Sequence, residues 1–369
     1  MKLMLKLFDD VLKIKNGKNQ KAVETPYGKY PIYGSGGVMG YADNYICKAN
    51  TVVIGRKGSI NNPLFVEEPF WNVDTAFGLE ANTSILNPRF LYYFCRNFDF
   101  KRLNKTVTIP SLTKSDLLQV RIDVPEIPVQ GRIVNRLQSI ERIISLMEKQ
   151  LEELDGLSKS RFIEMFKNGK YPIVRADNLC EFITKGTTPA SNEIIDRPFD
   201  NCIPYLKVYN LSFDGRMLFF QNPQYISRAV HEGKLARSKV YPNDVLMNIV
   251  GPPLGKFSLV NSDFPEWNIN QAIAIFRAKE KVLPKFLLHA LMQPDVLKPF
   301  LEKAQGVRQL NFSLEQCRNL KFPLPPLDEQ AEFVQFAEQT DKSKMHNRLH
   351  HNLACKNAHY SGTNLNIDI

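Results

Sequence analysis

The sequence contains fragments of catalytic and nucleotide-binding motifs, and each of them is incomplete. Residues 34–39 begin like the glycine fingerprint of dinucleotide-binding proteins, but Met39 stands where the third glycine is required. Residues 251–256 end like a phosphate-binding loop, but their glycines are one position too close and Phe257 replaces the Ser or Thr that would bind Mg²⁺. A Pro-Asp pair at residues 294–295 would suit a metal-dependent nuclease, yet no Glu/Asp-x-Lys follows it. These patterns predict no catalytic step in this chain.

The two Pro-Pro pairs also lack the neighbours that an adenine-N6 methyltransferase carries. Such enzymes have Asn or Asp before the pair and an aromatic residue after it, whereas residues 252–253 follow Gly251 and residues 325–326 precede Leu327. No Ser-His or Cys-His motif for nucleophilic catalysis stands out. An enzyme with a degenerate nuclease or methyltransferase motif remains an alternative, which binding of S-adenosylmethionine or Mg²⁺ to the isolated chain would favour.

Cationic residues beside glycines indicate a binding function instead. Residues 55–59 form a basic tight turn that can approach a phosphate with little steric hindrance. Basic, polar loops also follow the aromatic helix predicted at residues 88–98 and the corresponding place in the second half. Solvated hairpin tips are the competing interpretation. The residues from which we expect DNA contacts are Arg56, Lys57, Lys105, Thr106 and Thr108 in the first half, and Lys185, Lys256, Arg308 and Gln309 in the second.

The positive charge lies in two separate parts of the chain. The net charge is +10. Residues 1–125 carry 17 Lys and Arg against 11 Asp and Glu, a net +6, and residues 171–324 carry 19 against 14, a net +5. Two basic globular parts are typical of a protein that holds a polyanion at two points, although an ordinary solvated basic surface remains open.

The two halves carry the same short motifs in the same order. Trp-Asn occurs at residues 71–72 and 267–268, and Pro-basic-Phe-Leu occurs at residues 88–91 and 284–287, both at an offset of 196. Several matches in one order are not expected by chance. The sequence therefore predicts a tandem duplication of a globular domain.

A long helix is predicted between the two globular parts. From residue 129 to about residue 166, apolar residues recur at alternating spacings of four and three, which is the heptad pattern of a coiled coil. Such a helix is about 57 Å long and too long for one small domain, so we expect a spacer. The packing residues, which we expect to contact the second helix or a partner subunit, are Ile133, Leu137, Ile140, Ile144, Met147, Leu151 and Leu154.

A Pro-x-apolar-x-x-Gln pattern precedes this helix at residues 125–130 and recurs at residues 325–330. Together with Tyr-Pro-Ile-Tyr-Gly-Ser-Gly-Gly at residues 30–37 and the heptad helix between duplicated parts, it resembles the specificity subunit of a type I restriction–modification enzyme. The resemblance covers residue 1 to about residue 344. It implies two target-recognition domains, each of which recognises one half of a split, asymmetric site in double-stranded DNA.

The resemblance also implies the partners. Methyltransferase subunits would dock on the helices, bind S-adenosylmethionine and methylate adenine N6, and a separate restriction subunit would cleave. The chain itself would have neither a catalytic step nor a cofactor. Its helices would set the spacing between the two half-sites.

The expected fold class is α+β, with two β-rich recognition domains joined by a long coiled-coil helix in a pseudo-two-fold tandem duplication. The heptad pattern is lost after Lys344, so we expect a shortened second helix and a poorly packed tail. A silent or partly active subunit is therefore an alternative, as is a coiled-coil scaffold that binds proteins. The expected boundaries are recognition domain 1 at 1–125, spacer helix 1 at 126–170, recognition domain 2 at 171–324, the start of spacer helix 2 at 325–344 and the tail at 345–369.

Cysteine usage and hydropathy predict a cytoplasmic protein. The six cysteines show no pairing pattern and look like reduced packing residues. No signal peptide and no apolar run of membrane-spanning length are evident, so no membrane contact is expected. In the tail, His346 and His350 are four residues apart with Cys355 nearby, a spacing that a metal site can use, but we expect no metal.

Overall fold

The chain forms two compact units, which are Met1–Lys149 with Arg348–Ile369, and Gln150–Asn347. Each unit contains a β-rich globular domain and parts of two long helices. No helix in the described part of the chain combines the length and the apolar composition needed to cross a membrane. The computed structural model describes residues 4–57, 59–103, 111–303 and 311–363, without the side chains of residues 300–303 and 357–363.

Short strands and helices alternate in the first globular domain. They are β1 (Met4–Leu7), α1 (Phe8–Val11), β2 (Leu12–Asn16), β3 (Tyr30–Gly34), β4 (Gly37–Ala42), β5 (Thr51–Gly55), β6 (Leu64–Val66), β7 (Trp71–Asn72), β8 (Ala76–Ala81), α2 (Pro88–Asn97), α3 (Lys114–Leu118) and β9 (Arg121–Val124), followed by the long helix α4 (Ile127–Phe166). One antiparallel sheet has the order β2-β8-β5-β6, and a second has the order β4-β3-β7 with β3 and β7 parallel. The first strand, β1, pairs antiparallel with the last, β9.

Strand β5 is buried along its whole length because both faces of its sheet are covered. Val52 and Ile54 pack into a core that includes Leu137 of α4. Val53 packs on the other side of the sheet, in a core that includes Ile32 of β3. A strand with two covered faces is expected to be a continuous apolar run, and the Thr-Val-Val-Ile sequence of β5 is such a run.

The second globular domain uses the same order of elements with some additions. They are β10 (Ile173–Arg175), α5 (Ala176–Leu179), β11 (Cys180–Lys185), β12 (Cys202–Leu206), β13 (Tyr225–Ser227), α6 (Arg228–Glu232), β14 (Lys239–Val240), β15 (Val245–Asn248), β16 (Phe257–Leu259), β17 (Trp267–Ile269), β18 (Ile273–Ala278), α7 (Pro284–Leu291), α8 (Pro294–Lys303), α9 (Leu314–Arg318) and β19 (Lys321–Pro323), followed by α10 (Leu327–Thr363).

The sheets of the second domain repeat those of the first. The order β11-β18-β15-β16 corresponds to β2-β8-β5-β6, and β12 pairs parallel with β17 as β3 does with β7. Val245 and Met247 of β15 face one core while Leu246 faces another, which is the arrangement seen in β5. Strand β10 pairs with β19 as β1 does with β9. The duplication predicted from the sequence motifs is confirmed in the fold.

A buried glutamine attaches the start of α4 to the first domain. Gln130 Nε2 donates to the backbone oxygens of Pro125 at 2.7 Å and Ile85 at 2.8 Å. Gln130 Oε1 accepts from the backbone N–H of Asn87 at 2.7 Å. One side chain therefore satisfies three buried or partly buried backbone groups between the first turn of α4 and the segment before α2.

Gln330 makes the equivalent bonds at the start of α10. Its Nε2 donates to the oxygens of Pro325 at 2.9 Å and Lys281 at 3.2 Å, and its Oε1 accepts from the N–H of Leu283 at 2.9 Å. Both glutamines are fully buried. The Pro-x-apolar-x-x-Gln pattern is thus the sequence signature of a junction between a globular domain and its helix.

The second long helix extends well past the end that the sequence predicts. Instead of ending at Lys344, α10 continues to Thr363 and has 37 residues, against 40 in α4. Loss of the heptad pattern removes an apolar stripe, but it introduces no helix breaker, because this stretch lacks proline and its glycine stands next to the helix end. The predicted end at residue 344 is therefore wrong.

The predicted packing residues of α4 are buried to different degrees. Ile133 and Leu137 pack against the core of the first domain. In the second unit, the rings of Phe162 and Phe166 lie 5.4 and 5.7 Å from that of Phe333 at the start of α10. The remaining heptad residues, which are partly exposed, are Ile140, Ile144, Met147, Leu151 and Leu154.

The tail of α10 makes polar contacts as well. In the first unit, His351 Nε2 lies 3.3 Å from a carboxylate oxygen of Glu148 on α4. In the second unit, Lys344, the last residue before the predicted tail, has its Nζ 3.1 Å from the carboxylate of Asp155. Met345, Leu349 and Leu353 stay exposed, so the tail is helical but its poor packing remains a prediction.

Candidate nucleic-acid interface

In the first domain, Arg56 and Lys57 directly follow β5 at one end of the β2-β8-β5-β6 sheet. The register pairs Gly55, the last residue of β5, with Ala76, the first residue of β8, and β2 ends at the same place. Both cationic side chains are exposed. We call this edge the loop end of the domain, defined by the end of β2, the end of β5, the start of β8 and the start of β6.

The backbone at this position is held by the strands and by a distant segment. Arg56 N–H donates to Thr75 O at 2.8 Å, and Leu112 N–H donates to Arg56 O at 2.9 Å. Lys57 and Ser111 form an isolated antiparallel bridge. The chain therefore returns to the loop end at Ser111, immediately after the basic loop predicted from sequence. Three predicted contact residues in that loop lie outside the described residues and stay predictions, namely Lys105, Thr106 and Thr108.

A glycine is required where the basic turn begins. A Cβ on Gly55 would lie 2.4 Å from Ser59 O and 3.0 Å from Ser35 Cβ, too close for any side chain. Ser35 follows β3, so the β3–β4 turn reaches the loop end as well. The Arg56 guanidinium lies 5.8 Å from the ring of Phe77, which lies near the sheet end. The loop end of the first domain thus presents two adjacent cations on a tightly held backbone.

The second domain presents its predicted cations at the equivalent sheet end. Asn248, the last residue of β15, pairs with Ile273 at the start of β18, and Lys185 ends β11 opposite Ala274. Lys256 immediately precedes β16. Lys185 is exposed and Lys256 is half-buried. Both residues therefore lie at the loop end of the second domain.

The return of the chain to the loop end is also repeated. Phe312 N–H donates to Ile249 O at 2.8 Å, and Val250 and Asn311 form an isolated bridge. These pairs are the counterparts of those between Leu112 and Arg56 and between Ser111 and Lys57. The predicted contact residues Arg308 and Gln309 precede this bridge and lie outside the described residues, so they stay predictions.

A buried asparagine organises the loop between β15 and β16. Asn248 Nδ2 donates to Pro253 O at 3.0 Å, and Asn248 Oδ1 accepts from Lys256 N–H at 2.7 Å. The corresponding residue of the first domain, by strand register, is Gly55. The two domains therefore shape the same loop by different means, a buried amide in one and a glycine contact in the other.

The Lys185 turn lies where the first domain has the turn after β2. A Cβ on Gly186 would lie 2.2 Å from Asn270 O, and one on Gly17 would lie 1.7 Å from Val73 O, so both turns need glycine for a close backbone approach. Arg237 Nε donates to Thr187 Oγ1 at 3.1 Å and adds a further cation beside Lys185. Sequence reasoning did not select Arg237, because no local motif links it to a turn fifty residues away.

A separate polar cluster lies in the second domain among the described residues. Ligand atoms of His231, Glu232 and Glu266 all lie within 4.8 Å of one another, as in a metal site. Asn268 Nδ2 lies 3.0 Å from His231 Nδ1, and His231 Nε2 lies 3.1 Å from Glu266. Since the amide donates to Nδ1, the neutral ring carries its proton on Nε2 and has no lone pair there for a metal.

The same cluster already balances its charges. Arg228 lies 2.6 Å from Glu266, and Lys239 pairs with Glu232. Burial lowers the pKa of His231 against the opposing effect of Glu266, which favours the neutral ring. The cluster therefore holds α6 against β17 and offers no good metal site.

The match to known proteins follows the same two-part organisation. A family model described as the type I restriction modification DNA specificity domain matches residues 5–155 and again residues 168–353. The chain belongs to this family. Each matched segment contains one globular domain and much of the helix that follows it, so the family unit is the repeat described above.

Curated relatives support the same assignment over most of their length. The specificity subunit of the type I restriction enzyme EcoBI from Escherichia coli is 22% identical over 340 residues, covering 85% of this chain and 70% of that protein. A putative type I restriction enzyme specificity subunit from Haemophilus influenzae is 25% identical, covering 90% and 86%.

Solved structures support the fold. The S subunit of a type I restriction–modification system from M. genitalium matches with a TM-score of 0.64 at 16% identity, covering 100% of this chain and 97% of that one. As a type I specificity subunit, the chain is a non-catalytic DNA-recognition component without a cofactor of its own. S-adenosylmethionine is bound by the modification subunit of such systems.

Proposed function

We propose that this specificity subunit recognises a bipartite double-stranded DNA site, with one half-site bound at the loop end of each domain. The observation that carries the proposal is the repeated loop end. Both domains keep the backbone bonds that shape it, while the cationic side chains lie at different positions, Arg56 and Lys57 in one and Lys185 and Lys256 in the other. Recognition of two different half-sites requires such an arrangement, with the same backbone structure in both domains and different side chains on it.

Charge and chemistry at the loop ends suit DNA. Exposed Lys and Arg side chains bind phosphates and set the position on the duplex, whereas neighbouring polar and apolar side chains contact base edges. Among the described residues, the loop ends carry no cluster of acids and histidines for hydrolysis. The proposed contact residues remain Arg56, Lys57, Lys105, Thr106 and Thr108 in the first domain and Lys185, Lys256, Arg308 and Gln309 in the second.

We assign partner binding to the long helices. Apolar side chains stay exposed on them, including Ile143 at 46%, Leu146 at 58% and Leu349 at 58% exposure. The proposal places adenine-N6 methyltransferase subunits on this surface, together with the partly exposed heptad residues, and places a restriction subunit in the full complex. It also locates the complex in the cytoplasm with the host DNA.

The test is co-expression of the chain with its methyltransferase subunit in a host without other adenine methylation, followed by mapping of N6-methyladenine. A split, asymmetric motif is the expected result. A symmetric motif made of one half-site would show that one domain alone recognises DNA. Normal expression without any methylation would contradict the proposal.

Two alternatives to this function are a silent, truncated subunit and a protein-binding scaffold, and each can be distinguished from it. A silent, truncated subunit was suggested by a helix ending at Lys344, and the continuation of α10 to Thr363 removes that reason. A protein-binding scaffold is favoured by the exposed apolar residues on the helices. Steep weakening of DNA binding with salt would argue against a scaffold whose positive charge is incidental.

A further inference from the structure

Resting on the proposed function, we propose that Phe213 recognises the methyl group of a thymine in the half-site bound by the second domain. Phe213 is 53% exposed, which is high for an aromatic ring in a folded domain. It lies beside Lys256 at the loop end, where the DNA is proposed to bind. No motif in the sequence marks it.

The position of Phe213 at the loop end follows from backbone pairing. Ser212 exchanges both backbone hydrogen bonds with Phe257, at 3.1 and 2.8 Å, and Phe257 is the first residue of β16. Lys256 precedes it, and Lys256 Nζ lies 5.7 Å from the centre of the Phe213 ring. The exposed ring and the half-buried cation therefore form one pair at the loop end.

Hydrogen bonds and close packing hold the turn that carries Phe213. Ser212 Oγ accepts from Arg216 N–H at 2.7 Å, and Arg216 Nε donates to Asp214 at 2.8 Å. Gly215 has a φ of +82°. A Cβ at that position would lie 3.0 Å from a methyl group of Leu288 on α7, so the turn is packed directly on the domain. An apolar group held this way loses little freedom when it binds.

The arrangement favours methyl contact over insertion between bases. An inserted ring needs both of its faces for stacking, but Lys256 already lies over the Phe213 ring. In an intact duplex, the thymine C5-methyl is the apolar group that the major groove displays, and Phe is among the side chains that contact it. Lys256 would then bind an adjacent phosphate while the free side of the ring meets the methyl group.

Phe220 offers a matched control in the same domain. It is 67% exposed and packs against Phe219, whose ring contacts Phe264 and Trp267. Phe264 lies in the segment after β16, at the opposite end of that strand from Lys256. Phe220→Ala therefore removes a ring that is even more exposed than Phe213 but lies away from the loop end.

The experiment uses the full chain in complex with its methyltransferase subunit and a duplex that contains the mapped motif. Each thymine of the half-site is replaced in turn by deoxyuridine, which removes only the methyl group. We expect one replacement to weaken binding by the wild type about fourfold, the effect of one buried methyl-sized group. The same replacement should have no effect on Phe213→Ala and the full effect on Phe220→Ala.

The outcomes separate this inference from the proposed function. A wild-type complex that recognises a split motif but tolerates every deoxyuridine replacement overturns the role of Phe213 and leaves the proposed function intact. Equal sensitivity of wild type and Phe213→Ala does the same. Loss of binding by Phe213→Ala without any effect of deoxyuridine would show insertion between bases instead. Absence of any motif overturns both.

Discussion

The loop ends of the two domains share a backbone and differ in chemistry. By strand register, the charged Arg56 and Lys57 of the first domain correspond to the apolar Ile249 and Val250 of the second. Both pairs accept the same backbone partners from the segment that returns to the loop end. The comparison teaches that the fold depends on main-chain bonds at this edge, so the side chains are free to diverge.

The largest expected effect comes from removing the buried glutamines that join each domain to its long helix. Gln130→Met and Gln330→Met should each destabilise their own unit by about 3 kcal/mol, because three backbone groups lose their partner. Each domain contains one Trp, Trp71 or Trp267, so denaturant unfolding of single-Trp variants reports on one domain at a time. The control is Gln150→Met, an exposed glutamine on α4. A loss below 1 kcal/mol at either buried glutamine would mean that the junction is not the structural unit we describe.

A second comparison concerns equivalent positions in α2 and α7. Tyr93 in the first domain donates to Glu141 at 2.6 Å, whereas its counterpart His289 is buried against Phe333 with their rings 5.2 Å apart. Burial lowers the pKa of His289 to about 4, with Asp341 opposing the shift and Lys285 and Lys344 adding to it.

This difference predicts acid sensitivity of the second unit only. In the unfolded state His289 binds a proton near pH 6.5, whereas in the folded state it binds one only near pH 4. The contribution of neutral His289 to the free energy of unfolding is therefore fully present above pH 6.5 and is lost as the pH falls from 6.5 to 4. The loss should reach about 3 kcal/mol. His289→Phe should make the Trp267 unfolding profile less steep in this range, with the remaining slope due to His231, whose pKa is also lowered, and should leave the Trp71 profile unchanged. If the free energy of unfolding of His289→Phe fell with pH as steeply as that of the wild type, His289 would not be the source of the acid sensitivity.

The charged loop end should dominate the salt dependence of DNA binding. The double substitution of Arg56 and Lys57 to Ala should make the slope of log K against log salt shallower by about 1.8. The measurement is a fluorescence anisotropy titration of the full complex at several salt concentrations. Substitution of Lys13 and Lys48 to Ala is a charge-matched control, because both are exposed and lie at the opposite end of the same sheet. Identical slopes in both double variants would show a diffuse field rather than defined phosphate contacts.

The smallest expected effect tests which half-site of the DNA motif the second domain binds. Arg308→Ala should weaken binding about fivefold and relax the sequence preference in one half-site only. Mapping of N6-methyladenine with this variant shows which positions of the motif change. Equal loss at both half-sites would contradict separate recognition by the two domains.

Periodicity and repeated motifs predicted much of this fold. The heptad pattern predicted α4. The paired Trp-Asn and Gln motifs predicted the duplication, because these residues lie in the strands and junctions that both domains have in common. The heptad pattern does not predict the end of α10, because loss of the apolar stripe after Lys344 does not by itself break a helix. Phe213 was missed because its place depends on pairing with Phe257, forty-four residues away, which no local pattern reveals.

The pairing of the first and last strands of each domain has an evolutionary consequence. Met4 lies opposite Val124 and Ile173 opposite Pro323, so the chain enters and leaves each domain at neighbouring points. Antiparallel neighbours are about 5 Å apart. Genetic exchange at two crossover points can therefore replace a whole domain without altering the helices that carry it. A new DNA specificity can then arise by recombination of a whole globular domain, without successive substitutions within one loop.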